Sequence, residues 1–147
     1  MPDHHSGWNV FNQRCPTRVV LDRLADKWTV MVALRLSKQT LRFGELRRQV
    51  GGISQKMLTQ TLRGLERDGL VLRTIHAEVP PRVEYSLTAL GHTLVPILEQ
   101  IRAWAEGNIE SVLSAQQVFD RAVAQPPQPV TGAMIVRLVS RARPAAR

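Results

Sequence analysis

The sequence predicts a mainly α domain carrying one small β-hairpin, and three observations predict it. Apolar residues recur every three or four positions through five separate segments, the spacing of one face of an α-helix. Two six-residue runs, Val71-Leu72-Arg73-Thr74-Ile75-His76 and Arg82-Val83-Glu84-Tyr85-Ser86-Leu87, have strand composition and enclose a short Pro-Pro connection. The glycines Gly51, Gly52 and Gly69 fall at the breaks between these segments.

Taken in order, Cys15-Pro16-Thr17 reads as a helix start, with Pro16 at the first helical position and Cys15 at the cap. Val20, Leu21 and Leu24 follow at helical spacing. A second helix begins near Asp26, with Trp28, Met31, Val32 and Leu36 on one stripe. After the polar break Ser37-Lys38-Gln39-Thr40, Leu41-Arg42-Phe43 reads as a very short strand. Phe43 to Val50 fits a short third helix with Leu46 and Val50 turned inward. Gly51-Gly52 supplies a tight turn, because glycine tolerates the positive φ such a turn demands. Ser54 is a good N-cap for a fourth helix running to about Asp68, where Gly69 stops it. The two strands with Ala77-Glu78-Val79-Pro80-Pro81 between them make a two-stranded hairpin. Thr88 caps a last helix of roughly 25 residues, ~38 Å at 1.5 Å per residue, whose Leu90, Leu94, Ile97, Ile101 and Trp104 form an apolar line widened by Leu98. Pro96 within it is expected to bend it.

Composition bounds the function. The chain has 147 residues, 44% hydrophobic and 22% charged, which suits one globular domain and excludes disorder along the whole length. No apolar stretch reaches the ~18 to 20 residues of a membrane span, and residues 1–14 lack a secretory apolar core. A cytoplasmic protein is expected. The net charge is +8, and it is unevenly placed. Arg35 to Arg82 holds ten basic and four acidic residues, whereas Val83 to Asp120 holds one basic and five acidic. A basic block beside an acidic one suggests a face built for a polyanion, although solubility or an anionic surface would also explain charge alone.

The order of the elements has a mechanical meaning. Two helices joined by a tight turn can set the second into a DNA major groove, and a following hairpin can act as a wing on the flanking backbone. The Ser54 helix is divided as that task requires. Leu58, Leu62 and Leu65 share one face with Met57 and Thr61 at its edge, while Gln55, Lys56, Thr59, Gln60 and Arg63 share the other. Arg or Lys can pair with guanine, Gln with adenine, and Thr with phosphate or a thymine methyl. A solvated polar face would have the same appearance; the Gly-Gly turn before it and the Pro-Pro hairpin after it favour DNA. Arg42, Arg47 and Arg48, on or before the supporting helix, are candidates for phosphate contacts. Arg82, with Arg73 on the neighbouring strand, is the candidate wing contact, and its alternative is an ion pair with Glu78 or Glu84. The long helix carries more apolar surface than a small core needs. Leu94, Ile97, Leu98, Ile101 and Trp104 are therefore assigned to a homodimer seam, with intrachain burial as the alternative. A symmetric dimer sets two reading helices ~34 Å apart and predicts an inverted-repeat operator in double-stranded DNA.

Several runs resemble the HxlR-type winged helix-turn-helix regulators of bacteria, which are related to the MarR-like regulators. They include Cys15-Pro16, Lys27-Trp28, Arg42-Phe43-Gly44-Glu45-Leu46-Arg47, Ile53-Ser54-Gln55-Lys56-Met57-Leu58 and Leu65-Glu66-Arg67-Asp68-Gly69-Leu70. The stretch Val79-Pro80-Pro81-Arg82-Val83-Glu84-Tyr85-Ser86-Leu87-Thr88 completes the pattern, which covers about Cys15 to Trp104. The resemblance implies a homodimer that represses or activates nearby genes, built by both terminal helical regions. It divides the chain into an arm at 1–14, a DNA-binding and dimerisation domain at 15–114, and a Pro/Arg-rich extension at 115–147. Within that extension Pro126-Pro127-Gln128-Pro129 reads as a linker, and Met134 to Leu138 as part of a tail or a short docked segment.

In part of that family a cysteine at the position of Cys15 senses oxidants or electrophiles, so the resemblance makes Cys15 a candidate sensor. A thiol at a helix N-terminus with Arg14 and Arg18 adjacent should also have a lowered pKa. A small residue packed near the dimer seam is the alternative. A small ligand held between Trp28, Met31 and the long helix is another candidate effector. His4-His5, His76 and His92 lack ligand spacing, and Gly51-Gly52 lacks a phosphate-loop pattern, so no metal, no cofactor and no enzyme activity are expected. The competing function is a winged-helix module that meets protein or RNA without sequence-specific DNA readout.

Overall fold

The computed structural model describes residues 7–125. Its elements run α1 (Thr17–Ala25), α2 (Lys27–Leu36), β1 (Leu41–Arg42), α3 (Phe43–Val50), α4 (Gln55–Arg67), β2 (Val71–His76), β3 (Arg82–Leu87) and α5 (Ala89–Ala124). Local chemistry explains most of the boundaries. The Asp26 carboxylate accepts from the Thr29 N–H at 3.0 Å and starts α2. The Glu45 carboxylate accepts from the Arg42 N–H at 2.8 Å and starts α3. Gly51 and Gly52, with φ of 65° and 74°, turn the chain from α3 into α4, and Gly69, at 72°, ends α4.

Thr88 makes two bonds at once. Its hydroxyl oxygen accepts from the Gly91 N–H at 3.0 Å, capping α5, and the hydroxyl donates to the Gly69 carbonyl at 2.6 Å. The start of α5 is thereby tied to the end of α4. Gly91 sits against the backbone of Leu70, where a Cβ would collide with the Leu70 carbonyl oxygen.

One core joins α2 to α5 with the sheet: Val32, Ala33 and Leu36 of α2, Leu41, Leu46, Val50 and Ile53, Leu58, Leu62 and Leu65 of α4, and Leu70, Val71, Leu87 and Leu98. Fully burying each of its leucines contributes about 2 kcal/mol relative to exposure. The inward stripe of α2 is Thr29, Val32, Ala33 and Leu36. It is rotated from the expected one, so Trp28 is half-buried at its edge and Met31 is exposed.

Three further expectations are corrected. The sheet has three strands in the order β1-β3-β2, because Leu41 and Arg42 pair antiparallel with Tyr85 and Glu84. A two-residue strand is too short to announce its partner in sequence, and its pairing is decided across more than forty residues. The helical conformation begins one residue later than expected, with Pro16 in the cap position and Thr17 first. The last helix continues to Ala124, 36 residues in all, where a fading apolar pattern suggested about 25. Residues 115–124 hold neither Gly nor Pro, and chain propensity carries the helix on without a buried face. The helix also stays continuous through Pro96.

The chain divides into two compact units at 107/108. The first contains all the elements up to the early part of α5. The described part of the second, 108–125, continues α5 and exposes Ile109, Leu113, Val118 and Phe119. Pro126-Pro129 and Met134-Leu138, read above as linker and tail, and His4-His5 lie outside the described residues. No helix among the described residues is long and apolar enough to cross a membrane. Among them there is also no grouping of three or more His, Cys, Asp or Glu that could hold a metal ion.

Candidate nucleic-acid interface

The site is built on α4. Its cap is the Ser54 hydroxyl, whose oxygen accepts from the Met57 N–H at 3.0 Å. Leu58, Thr61, Leu62 and Leu65 are buried against the body, and the opposite side exposes Gln55, Lys56, Gln60 and Arg63. Thr59 is half-buried, and its hydroxyl donates to the Gln55 carbonyl at 2.8 Å. The division expected from spacing is therefore present, with Thr61 wholly inside. A polar face held out by a leucine face is the arrangement that lets a helix enter a groove without loosening its own packing.

Arg42, Arg47 and Arg48 are all exposed at or on α3. The Arg47 Nε donates to the Ile53 carbonyl at 3.4 Å, so Arg47 braces the Gly-Gly turn as well as facing solvent.

The strand register separates the two arginines that sequence grouped together. Side chains alternate across a strand, and Arg73 pairs with Tyr85 while His76 pairs with Arg82. Arg73 thus shares a face with Val71, Tyr85 and Leu87, the face that packs toward α4. Arg82 lies on the other face with His76, Glu84 and, through the β1 register, Arg42. There the charges are largely matched. Arg82 Nη2 lies 3.2 Å from Glu78, and Arg82 Nε lies 3.5 Å from Glu84 without hydrogen-bond geometry. Glu84 also meets His76 Nε2 at 2.9 Å. That hydrogen bond, with further help from Arg82 and Arg42, holds the Glu84 carboxyl below the usual glutamate range. Its contribution to folding is present above the ordinary glutamate pKa and lost as pH falls through the lowered one. The ion-pair alternative for Arg82 is the one the structure displays.

On the inner side, a notch of about 360 Å³ opens between α4 and the sheet. Gln55, Thr59, Arg63 and Glu66 line one wall, and Arg73 and Tyr85 the other. Sequence reading left Tyr85 out of the site. The signal that would have found it is the cross-strand register, which no local pattern reveals.

A second connection was also invisible in the sequence. Arg23 of α1 donates from Nε to the Asp68 carboxylate at 2.8 Å, at the C-terminal end of α4. Its guanidinium covers Gly64, where a Cβ would strike it. This is a direct side-chain tie between α1 and the candidate reading helix.

Cys15 is buried at the start of α1, 8% exposed, with its Sγ 3.1 Å from the Thr17 hydroxyl oxygen. Hydrogen bonding to Thr17, first through the side chain and then the backbone, lowers the thiol pKa; Arg18 adds a smaller effect. The expected lowering is present, but its main cause is Thr17 and not the neighbouring arginines.

The apolar line on α5 splits into two uses. Leu98 is 0% exposed within a single chain and Leu94 packs against the same core, so Leu98 contributes no surface to a dimer seam. Ile97, Ile101 and Trp104 are 51%, 48% and 65% exposed. Helix α1, which has no buried residue, exposes Val20 and Leu21. A groove of about 870 Å³ runs between α2 and α5, lined by Val30, Met31, Leu34, Ile101 and Ala105 among others. Met31 lies in it as expected; Trp28 does not line it.

The HxlR-like helix-turn-helix family model matches residues 23–113. The chain is 42% identical over 108 residues to YtfH of Escherichia coli (strain K12), an HTH-type transcriptional regulator, covering 74% of this chain and 86% of that protein. The structure of the transcriptional regulator YtfH from Salmonella typhimurium superposes with a TM-score of 0.69 at 41% identity, covering 75% of this chain and 98% of that one. The redox regulator HypR in its oxidized form is similar at 45% identity and a TM-score of 0.59, covering 64% of this chain and 97% of that one. A winged arrangement of α3, α4 and a hairpin, together with these matches, places the chain in the HxlR-like helix-turn-helix family, as a transcriptional regulator and not an enzyme.

Proposed function

We propose that this chain is a homodimeric regulator that binds an inverted-repeat operator in double-stranded DNA, working in the cytoplasm. The observation that carries this reading is the outward face of α4, where Gln55, Lys56, Gln60 and Arg63 stand exposed above a buried leucine face. Arg42 and Arg48 take flanking phosphates, and Arg47 and Arg73 support them. The exposed apolar side chains of α5 and α1 supply the seam for a second copy, since large exposed apolar surface marks an interface. The test is binding to duplex from upstream of the chain's own gene against random duplex. Lys56→Ala and Gln60→Ala are each expected to narrow that preference by ~1 to 3 kcal/mol, as loss of a base-edge pair does. Equal affinity for operator and random duplex in the wild-type protein overturns the reading, and favours a module that meets RNA or protein.

A redox response through Cys15 is part of the same proposal. It is supported by the thiol's lowered pKa and by similarity to the redox regulator HypR. With one cysteine per chain, oxidation can join Cys15 only to another molecule, either a second copy or a small thiol. Diamide or a quinone is expected to release the wild-type protein from its operator and to leave Cys15→Ser bound. Equal release of both proteins removes the thiol from the mechanism.

A further inference from the structure

We infer that the notch between α4 and the sheet is the seat of one DNA backbone phosphate, gripped jointly by Arg63 and Arg73. The inference rests on the DNA-binding reading above and reassigns one residue of it: Arg63 positions the backbone and does not read a base.

Four observations lead there. First, the outward side of α4 has two rows. Residues four apart stack on a helix, so Gln55, Thr59 and Arg63 form one row, and Lys56 and Gln60 the next. The first row lines the notch and the second does not. Second, the register puts Arg73 on the face of the sheet that looks toward α4, directly opposite Tyr85. Two guanidinium groups from different elements therefore border one cavity. Third, the charges are distributed unequally between the two faces of the wing. Arg82 and His76 are matched by Glu78 and Glu84 on the outer face, whereas among the described residues no ion pair engages Arg63 or Arg73. Fourth, beside the apolar Phe43 and Leu62 the cavity lining offers further donors to an oxyanion. The Gln55 amide and the Tyr85 phenol are donors, and about 360 Å³ is ample space for a phosphodiester oxygen pair and its sugar edge. Guanidinium forks match phosphate geometry closely, and two on one phosphate hold it from both sides.

Glu66 also borders the notch and is the one carboxylate there. It lies beyond Arg63 on α4, where it repels a phosphate that slides toward the C-terminal end of the helix. Its presence fixes the register of the strand in the notch and slightly weakens binding of any sequence.

The experiment compares wild type, Arg63→Ala, Arg73→Ala and the double variant on operator and random duplex across a salt series. Gln60→Ala serves as the base-reading control. Both arginines are exposed, and matching thermal melts show that each variant is folded. Each single variant should bind both duplexes about a hundred-fold more weakly, the loss of one charge-assisted contact of about ten-fold in each protomer. Because a slope of ~0.9 accompanies each phosphate neutralised, the double variant, which loses one phosphate in each protomer, should reduce the log–log salt slope of the dimer by about two in total. Glu66→Gln should tighten both duplexes by a few-fold.

A fall of about four in the double variant means separate phosphates for the two arginines of each protomer, and overturns the shared seat. Loss of operator preference in Arg63→Ala, without a uniform loss, returns Arg63 to base reading and overturns it equally. If wild type shows no operator preference at all, the DNA reading itself fails, and the Gln60→Ala control identifies that case by having no effect. Inorganic phosphate is titrated separately at constant ionic strength. Arg73-dependent binding of it at micromolar concentration marks a free-anion site and overturns the assignment to DNA.

Discussion

Raising monovalent salt from ~50 to ~200 mM is expected to weaken operator binding about a thousand-fold. The reason is counterion release: each phosphate neutralised contributes ~0.9 to the log–log slope. Arg42, Arg48 and the notch bounded by Arg63 and Arg73 give three phosphates per protomer, hence about six per dimer and a slope near −5. A four-fold rise in salt raised to that power gives the thousand-fold. Fluorescence anisotropy of a labelled operator duplex at five salt concentrations measures it. A slope shallower than about −2 would mean that the basic side of the chain does not lie along a duplex, and the dimeric DNA-binding reading would not survive it.

The largest effect on stability is expected at Gly91. Its α-carbon lies against the Leu70 carbonyl, and an alanine Cβ there meets that oxygen before anything else. The oxygen has no freedom to yield. Leu70 O accepts from the Thr88 N–H at 3.0 Å, and Leu70 N–H donates to Leu65 O at 2.9 Å, so the two peptides flanking the Leu70 α-carbon are each held by a backbone hydrogen bond. Overpacking against fixed backbone costs about 3 kcal/mol. That outweighs the ~1 kcal/mol that alanine gains over glycine inside a helix. Gly107 is the control, because a Cβ there meets nothing within 4 Å, and Gly107→Ala should be neutral or stabilising. Urea unfolding of both variants decides the matter. If Gly91→Ala unfolds at the wild-type midpoint, the close approach of α5 to Leu70 is not a feature of the protein in solution.

Much of this architecture is legible in the chain itself, for reasons that can be named. Ser54, Gly51-Gly52 and Gly69 mark the limits of α4 through capping and positive φ, which depend on a few adjacent residues. Leu58, Leu62 and Leu65 show its inner face through a period that the helix imposes. Thr88 starts α5 for the same kind of reason. Where expectation and structure part, the missing information is long-range. Leu98 has the same spacing as Ile97 and Ile101, and only the position of the core decides that it is buried while they are exposed. Met31 and Thr29 exchange places for a similar reason: a threonine can fill a core position once Asp26 satisfies its hydroxyl at 3.3 Å.

The wing shows the division most clearly. That residues 71–76 and 82–87 would be strands follows from their composition and the prolines between them. Which arginine faces α4, and which faces the carboxylates of Glu78 and Glu84, does not. A shift of one residue in the β2–β3 register would exchange Arg73 for its neighbours on the opposite face. That register is set by burial of Val71 and Leu87 against a core assembled from α2, α3 and α4. Periodicity and capping act within a few residues, so they can be read from the chain alone. Pairing and burial join groups tens of residues apart, and they become definite only when the chain has closed on itself.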